Sequence, residues 1–176
     1  PVYKTSIING RPVVRFDGAD DQLLSNLSAA LKPVSIFAVV SAPAVNASHR
    51  AILGPSATSG IELHRRNFTG GPLRFNIAGI DIIITATATF QDNVPSIVDV
   101  TYSSVGAAII AINGATNSAT NNFTFSASTF QIGSSINTSF FNGDIAALAI
   151  YNTEVSLSDS ARLRRYFSSR YGIALS

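Results

Sequence analysis

Short apolar segments recur along the chain, separated by clusters of Gly, Pro, Asn and Ser. Thr85–Phe90 and Asn122–Phe130 alternate between polar and apolar residues, which is typical of strands with one buried face. Val34–Val40 and Gly79–Ile84 are apolar on both faces, as expected of central strands in a two-layer structure. The pattern predicts an all-β sandwich or barrel. The predicted strands are Tyr3–Ile8, Val13–Phe16, Val34–Val40, Ala51–Leu53, Ile61–His64, Leu73–Asn76, Ile80–Thr87, Ile97–Tyr102, Ala107–Ile112, Asn122–Phe125, Phe130–Ile132 and Ile145–Tyr151.

An Asn-Gly pair, Asn113–Gly114, directly follows one of the apolar strands. Both residue types tolerate positive φ, so this pair is the strongest short signal for a β-hairpin. We therefore expect it to turn one antiparallel strand into the next. The polar segment that follows, Ala115–Asn122, suits an exposed loop, and a plain turn is favoured there over a glycan-binding loop.

The C-terminal segment changes from a strand pattern to a helical one. Ser156 or Ser158 can act as the N-cap by accepting hydrogen bonds from the free backbone amides, and Asp159 suits the positive end of the helix dipole. Gly172 stands where a left-handed residue would end the helix, and Ile173 could pack back onto it. We expect one short helix docked on the sandwich.

The faces of this helix follow from residue spacing. Spacings of three and four residues predict one apolar stripe, formed by Leu163, Tyr166 and Phe167. The other face carries basic residues that we expect to point outward, namely Arg162, Arg164, Arg165 and Arg170.

The composition agrees with one all-β domain over residues 1–176. Only 12% of the 176 residues are charged while 46% are hydrophobic, so Ser, Thr and Asn must supply most of the polar surface. Thr, Val, Ile and Phe favour pleated surfaces, whereas helix-rich proteins use more Glu and Lys.

The charge distribution bears on partners. The formal net charge is +2, and the basic runs His64–Arg66 and Arg162–Arg165 are not interleaved with aromatic residues, so we expect no nucleic acid partner. The longest apolar run, Val105–Ile112, is too short to span a bilayer, so we expect no membrane insertion. The chain has no cysteine and therefore no disulfide or thiolate metal site.

Five segments, taken together, carry a resemblance to a known family of domains: Ile8–Leu23, Val34–Val40, Val98–Ala115, Phe130–Ser134 and Phe140–Ile173. They resemble laminin-G-like, concanavalin A-like jelly-roll domains, with the bacterial and bacteriophage branch as the nearest in appearance. The resemblance implies two stacked, curved antiparallel sheets whose first and last strands lie side by side, with the C-terminal helix as a cap. Domains of this branch often carry a Glu in the last strand, where this chain has Ala146 and Ala147.

Related sandwiches include glucanases, so glycoside hydrolysis is the natural enzyme hypothesis. It needs two carboxylates across the scissile bond. Glu62 and Glu154 are isolated from each other in sequence, and the Glu-x-Asp-x-x-Glu arrangement of those glucanases is absent. His49 resembles a loop residue and His64 the outward face of a strand, and no G-x-S-x-G motif accompanies them. We therefore expect no enzyme activity and no catalytic residue.

Calcium is the one metal that the resemblance suggests, because related domains often hold it through Asp side chains and loop carbonyls. The candidate ligands lie in two loops that the fold could bring to one rim, and they are Asp20, Asp21, Asn142 and Asp144. Ordinary turn chemistry is the favoured explanation of paired aspartates. No other cofactor is expected. For a sugar, Tyr102 and Tyr151 are the candidate aromatic platforms, although the sequence favours both as anchors at the ends of strands.

These observations favour a non-enzymatic surface or structural module of a phage-like virion, such as a capsid decoration, fibre or tail domain, that could also bind glycans. The alternative is a carbohydrate-binding module of a larger secreted bacterial enzyme or adhesin. Expected partners are other virion subunits or cell-surface glycans, with a homo-oligomer as a further expectation. The expected location is the virion surface or the extracellular space. The missing cysteines disfavour a eukaryotic adhesion domain of the laminin-G type.

Overall fold

The computed structural model describes residues 1–28, 31–44, 50–57, 60–65, 73–77, 80–82, 90–122 and 129–176, with 80–82 described by the backbone alone. Within these ranges the chain is almost entirely β-structure, closed by one C-terminal helix. The elements are β1 (Val2–Ile8), β2 (Arg11–Asp17), β3 (Leu23–Ser28), β4 (Val34–Ser41), β5 (Arg50–Pro55), β6 (Ile61–Arg65), β7 (Leu73–Ile77), β8 (Ile80–Ile82), β9 (Ser96–Tyr102), β10 (Ala107–Ile112), β11 (Ala115–Thr120), β12 (Thr129–Ile132), β13 (Asn142–Tyr151) and α1 (Leu157–Tyr171).

The strands form two antiparallel sheets. One has seven strands in the order β1-β2-β13-β4-β9-β10-β11, and the other has six in the order β3-β12-β5-β6-β7-β8. The sandwich with a C-terminal helix is thus confirmed. The expectation that the first and last strands lie side by side is wrong, because β13 pairs with β2 and β4 while β1 pairs with β2.

Two strands were missed by the sequence pattern. β3 is an edge strand whose side chains are exposed or half-buried, so its sequence lacks a strong apolar period. β11 replaces the loop expected at Ala115–Asn122. It is an edge strand of the seven-stranded sheet, whereas β3 is an edge strand of the six-stranded one, and the residues of β11 alternate between small and polar. The hairpin at Asn113–Gly114 is confirmed, since Ile112 pairs with Ala115. Residues 83–87 and 123–125 of two predicted strands lie outside the described residues.

The main core fills the space between the two sheets. Apolar side chains alternate inward along the strands, as the pleat requires. The largest fully buried aromatic side chains of this core are Phe16, Phe75, Phe90, Tyr102, Phe130 and Phe141. Phe16 and Phe141 meet edge to face with ring centroids 6.2 Å apart, which fixes the end of the sandwich where β2 and β13 pair.

A second apolar cluster lies on the outer face of the seven-stranded sheet, under α1. Phe167 and Tyr171 from the helix pack there with Phe37, Val39 and Ile97 from the sheet. The helix begins with Ser156 as N-cap and ends at Gly172, as the sequence predicts. No helix in the described part of the chain has the length and apolar character needed to cross a bilayer.

The docked face of α1 differs from the predicted stripe. Phe167 and Tyr171 are buried and Leu163 is half-buried against them, whereas Tyr166 is 55% exposed. The stripe therefore runs at intervals of four residues through these three side chains. The Tyr171 hydroxyl donates a hydrogen bond to the carbonyl of Ala146 at 3.0 Å, which gives its polar end a partner inside the contact.

One helix arginine does not point outward as expected. Arg164 turns toward the sheet, where its Nε and Nη2 donate to the two carboxylate oxygens of Asp99 at 2.8 and 2.7 Å. Asp99 lies on β9 and is fully buried. The expectation that all four arginines face solvent is therefore wrong for Arg164, because a buried carboxylate on the facing strand requires a cationic partner.

Candidate functional site

A groove runs between the end of β13 and the first turns of α1, and we call it the β13–α1 groove. Its volume is about 670 Å³. It is lined by both ends of the connection and by the exposed side of the helix, through Tyr151, Thr153, Glu154, Val155, Ser156, Asp159, Arg162, Leu163 and Tyr166. The size is that of a pocket for a small ligand.

The connection that forms one wall is held in place by Ser35 at the start of β4. The buried Ser35 hydroxyl donates to the carbonyl of Thr153 at 2.8 Å and accepts from the amide of Val155 at 2.9 Å. The Ser156 hydroxyl then caps the helix by accepting from the amide of Asp159 at 3.1 Å. The wall of the groove is therefore fixed before any ligand binds.

Two exposed tyrosines line the groove. Tyr151 is 36% exposed and meets Phe37 edge to face, with ring centroids 6.1 Å apart. Tyr166 is 55% exposed, and its ring lies tilted against Phe167 with centroids 5.4 Å apart. Each exposed ring thus rests on a buried aromatic ring and offers a rigid amphipathic contact surface.

Charged groups lie beside these rings. Glu154 and Asp159 supply carboxylates, which accept hydrogen bonds, and Arg162 supplies a guanidinium, which donates them. Arg162 Nη1 lies 3.4 Å from Asp159 Oδ1, and both side chains are largely exposed. Apolar rings and planar polar groups together give the groove the chemistry needed to hold a polyhydroxylated ligand.

A family model decides what kind of domain carries this groove. The model of the concanavalin A-like lectin/glucanases superfamily matches residues 16–159. The chain belongs to that superfamily. A comparison of this chain with curated proteins finds no match.

Several solved structures have a fold similar to that of this concanavalin A-like domain. A heptameric SAP-like pentraxin from Limulus polyphemus superimposes with a TM-score of 0.69 at 12% identity, covering 85% of this chain and 80% of the pentraxin. The ligand-binding domain of botulinum neurotoxin serotype D, in complex with N-acetylneuraminic acid, gives 0.66 at 17% identity, covering 93% and 44%. Trypanosoma rangeli sialidase in complex with sialic acid gives 0.66 at 13%, covering 93% and 28%. The chain thus spans less than half of the toxin and sialidase chains, and the likeness shows a shared fold.

The predicted aromatic platforms of the concanavalin A-like domain have different outcomes. Tyr151 lines the groove. Tyr102 ends β9 and is fully buried, its ring packs against Phe75, and its hydroxyl donates to the carbonyl of Asn121 at 2.9 Å. It is therefore an anchor at the end of a strand, as the sequence favours, and not a platform. Tyr166 was missed as a platform, because its spacing with Phe167 assigned it to the buried stripe.

The calcium candidates fall into two places. Asp20 and Asp21 lie with Asp17, and the carboxylate oxygens of the three come within 4.8 Å of one another. Asn142 pairs with Asp17 across β2 and β13 and so lies beside this cluster. Asp144 accepts two hydrogen bonds from Arg15, at 2.7 and 2.8 Å, and is engaged separately.

Carboxylate and amide oxygens are hard ligands of the kind that Ca²⁺ takes. The Asp21 carboxylate also contacts the α-amino group of Pro1. The calcium site therefore stays a prediction. Of its candidate ligands, Asp20 and Asp21 are the two that lie together, in the cluster with Asp17.

The two glutamates of this concanavalin A-like domain lie on opposite sides of the sandwich. Glu62 alternates with the core residues Ile61 and Leu63 on β6, so it faces away from the core of the six-stranded sheet. Glu154 lies in the groove beside the seven-stranded sheet. A pair of carboxylates across one glycosidic bond is not formed by these two residues.

The sequence assigns no catalytic role to the two histidines, and predicts a loop position for His49 and the outward face of a strand for His64. His64 lies on the face of β6 turned away from the core, as predicted, but is buried, with Nδ1 3.5 Å from Glu62 Oε1. His49 lies outside the described residues.

Proposed function

We propose that residues 1–176 form one non-enzymatic domain that binds glycans in the β13–α1 groove, at a cell surface or in the extracellular space. The observation that carries this is the pairing of two supported, exposed tyrosine rings with carboxylate and guanidinium groups in one groove of about 670 Å³. Such a domain would serve as a carbohydrate-binding module of a larger secreted bacterial enzyme or adhesin.

The chemistry of sugars matches this lining. A pyranose ring has an apolar face that can rest on an aromatic ring and a rim of hydroxyls that can be bound by planar polar groups. Tyr151 and Tyr166 offer the first kind of contact, and Glu154, Asp159 and Arg162 the second. The sugar ligands named for the toxin and the sialidase support the same class of ligand for this fold.

Replacing Tyr166 with alanine tests the groove. We expect Tyr166→Ala to weaken binding to the preferred glycan of a broad array by about tenfold or more, because roughly 1.4 kcal/mol of stacking corresponds to that factor. Tyr3→Ala is the matched control, since Tyr3 is similarly exposed at 66% but lies on β1 outside the groove. Retained affinity in Tyr166→Ala, or no glycan bound by the wild-type chain, would contradict the proposal.

A second candidate function is a surface module of a phage-like virion. It is favoured by an apolar rim formed by the two edge strands β1 and β3, where Tyr3 is 66% and Leu24 is 73% exposed. Exposed apolar residues on open strand edges suit contact with another subunit, and the same rim would serve a homo-oligomer.

Purified particles distinguish this candidate. We expect a virion module to band with gradient-purified particles at a fixed molar ratio to the capsid or tail subunits, and Leu24→Lys to release it from them. Thr116→Lys, at an exposed position of β11 on the opposite edge of the seven-stranded sheet, is a control for the added charge. Purified particles that do not contain the chain would contradict this candidate, and glycan binding would then be the remaining proposal.

A further inference from the structure

The charged groups at the helix end of the β13–α1 groove already satisfy one another. Asp159 Oδ2 accepts a hydrogen bond from the Ser156 hydroxyl at 2.8 Å, and Asp159 Oδ1 lies 3.4 Å from Arg162 Nη1. Asp159 also stands in the first turn of α1, where its negative charge offsets the positive end of the helix dipole. These groups therefore leave little net charge for a ligand.

Glu154 is different, because it adds a negative charge that this arrangement does not balance. Its side chain is exposed and lines the groove, and within the described part of the chain it has neither an ion pair nor a hydrogen bond. The backbone on either side is fixed, since Ser35 bonds to Thr153 and to Val155. The groove thus presents one carboxylate on a fixed segment of backbone, with both oxygens open to a ligand.

Building on the proposed glycan function, we propose that Glu154 makes this groove selective for sugars with a free amino group. A carboxylate is an acceptor only, and its hydrogen bonds to a charged donor are the strong kind. The exposed faces of Tyr151 and Tyr166 also attract a cation. Glucosamine units meet both demands, because each carries an ammonium group on a ring that can stack.

The same argument disfavours acidic sugars. A ligand carboxylate beside Glu154 would place two negative charges together, and Arg162 is already near Asp159. N-acetylneuraminic acid carries such a carboxylate, so we expect the groove to bind it less well than a glucosamine oligomer. Neutral N-acetylglucosamine should lie between the two, because it keeps the stacking and the hydroxyls but lacks the charge.

Calorimetry with three probes tests this selectivity: a glucosamine oligomer below the pKa of its amine, an N-acetylglucosamine oligomer of the same length, and sialyllactose. We expect wild-type affinity to fall in that order. Glu154→Gln should reduce the ratio of glucosamine to sialyllactose affinity by about fivefold, the upper range for an exposed charge pair. Thr116→Lys shifts the net charge by the same single unit at an exposed position of β11 outside the groove, and should leave the ratio unchanged.

The outcomes separate the inference from the function on which it rests. Binding that Tyr166→Ala abolishes, but whose affinity ratio is the same in Glu154→Gln and in wild type, would overturn the selectivity and keep the glycan site. A preference for sialyllactose, or an equal effect of Thr116→Lys, would also overturn the selectivity. Sugar binding that is indifferent to Tyr166→Ala would instead reject the groove itself.

Discussion

Replacing Arg164 with methionine is expected to lower the free energy of unfolding by about 3–5 kcal/mol, the usual result of removing one partner from a buried ion pair. Asp99 is fully buried, and Arg164 donates to both of its carboxylate oxygens. Methionine keeps the aliphatic stem but leaves the carboxylate without this partner. Denaturant unfolding at neutral pH measures the loss.

The pH dependence of the Arg164→Met variant gives a second readout. Burial raises the pKa of Asp99, and the hydrogen bonds from Arg164 oppose that rise. Without Arg164, only the raising effect of burial remains. The native variant then keeps a proton that the unfolded chain loses near pH 3.9, so its unfolding free energy falls as pH rises above that value. The difference from wild type should therefore shrink toward about pH 4.

Two further variants decide whether the ion pair is the cause. Arg165→Met changes the neighbouring, exposed arginine, and we expect a change within about 0.5 kcal/mol. The double variant Asp99→Val, Arg164→Met replaces both charges with apolar groups and should recover most of the loss, because the desolvation of the carboxylate disappears with the carboxylate. A single variant as stable as Arg165→Met would contradict the role of the pair.

The sequence predicts the strands best where they are buried. β4 and β9 are buried along almost their whole length, and their apolar residues alone identify them. β3 and β11 are edge strands, and the second of these is held by backbone hydrogen bonds to β10 rather than by apolar side chains. Such a strand depends on its partner, so its own residues give no periodic signal of apolar side chains.

The ends of the helix were predictable, but only part of its docked face was, since Leu163 and Phe167 lie in the contact and Tyr166 does not. Ser156 and Gly172 act through neighbouring backbone groups, so local sequence is enough to place them. The orientation of Arg164 depends on Asp99, which lies 65 positions earlier on another element. No spacing rule connects two residues that meet only after the sheet and the helix have packed.

The candidate site, like the helix, combines features that local sequence predicts with features that depend on long-range contacts. Tyr151 could be singled out as a possible platform, but the groove exists because Ser35, far away in sequence, holds the connection at Thr153 and Val155. That contact sets how the chain leaves β13 and enters α1, and so brings Tyr166 to the same groove. Long-range hydrogen bonds of this kind leave no pattern in the sequence.

Replacing Gly133 with alanine is expected to destabilise the sandwich by about 2–5 kcal/mol, and it does so through two separate effects. Gly133 has a φ of +81°, which costs a residue with a Cβ about 1–2 kcal/mol. The added Cβ would also stand 2.2 Å from Cε1 of Phe16, a fully buried core ring, and relieving that overlap costs about 1–3 kcal/mol more. Thermal and denaturant unfolding measure the sum.

A second glycine separates the two effects of Gly133→Ala. Gly10 has a similar φ of +70°, but nothing lies within 4 Å of an added Cβ, so Gly10→Ala should show the backbone cost alone. Equal losses at the two positions would mean that the overlap with Phe16 is absorbed without cost. Combining Gly133→Ala with Phe16→Val removes the overlapping Cδ1 and Cε1 atoms, so the double variant should lose less than the sum of the single losses. Additive losses would instead show that the ring and the glycine do not constrain each other, and that backbone conformation alone requires glycine at this position.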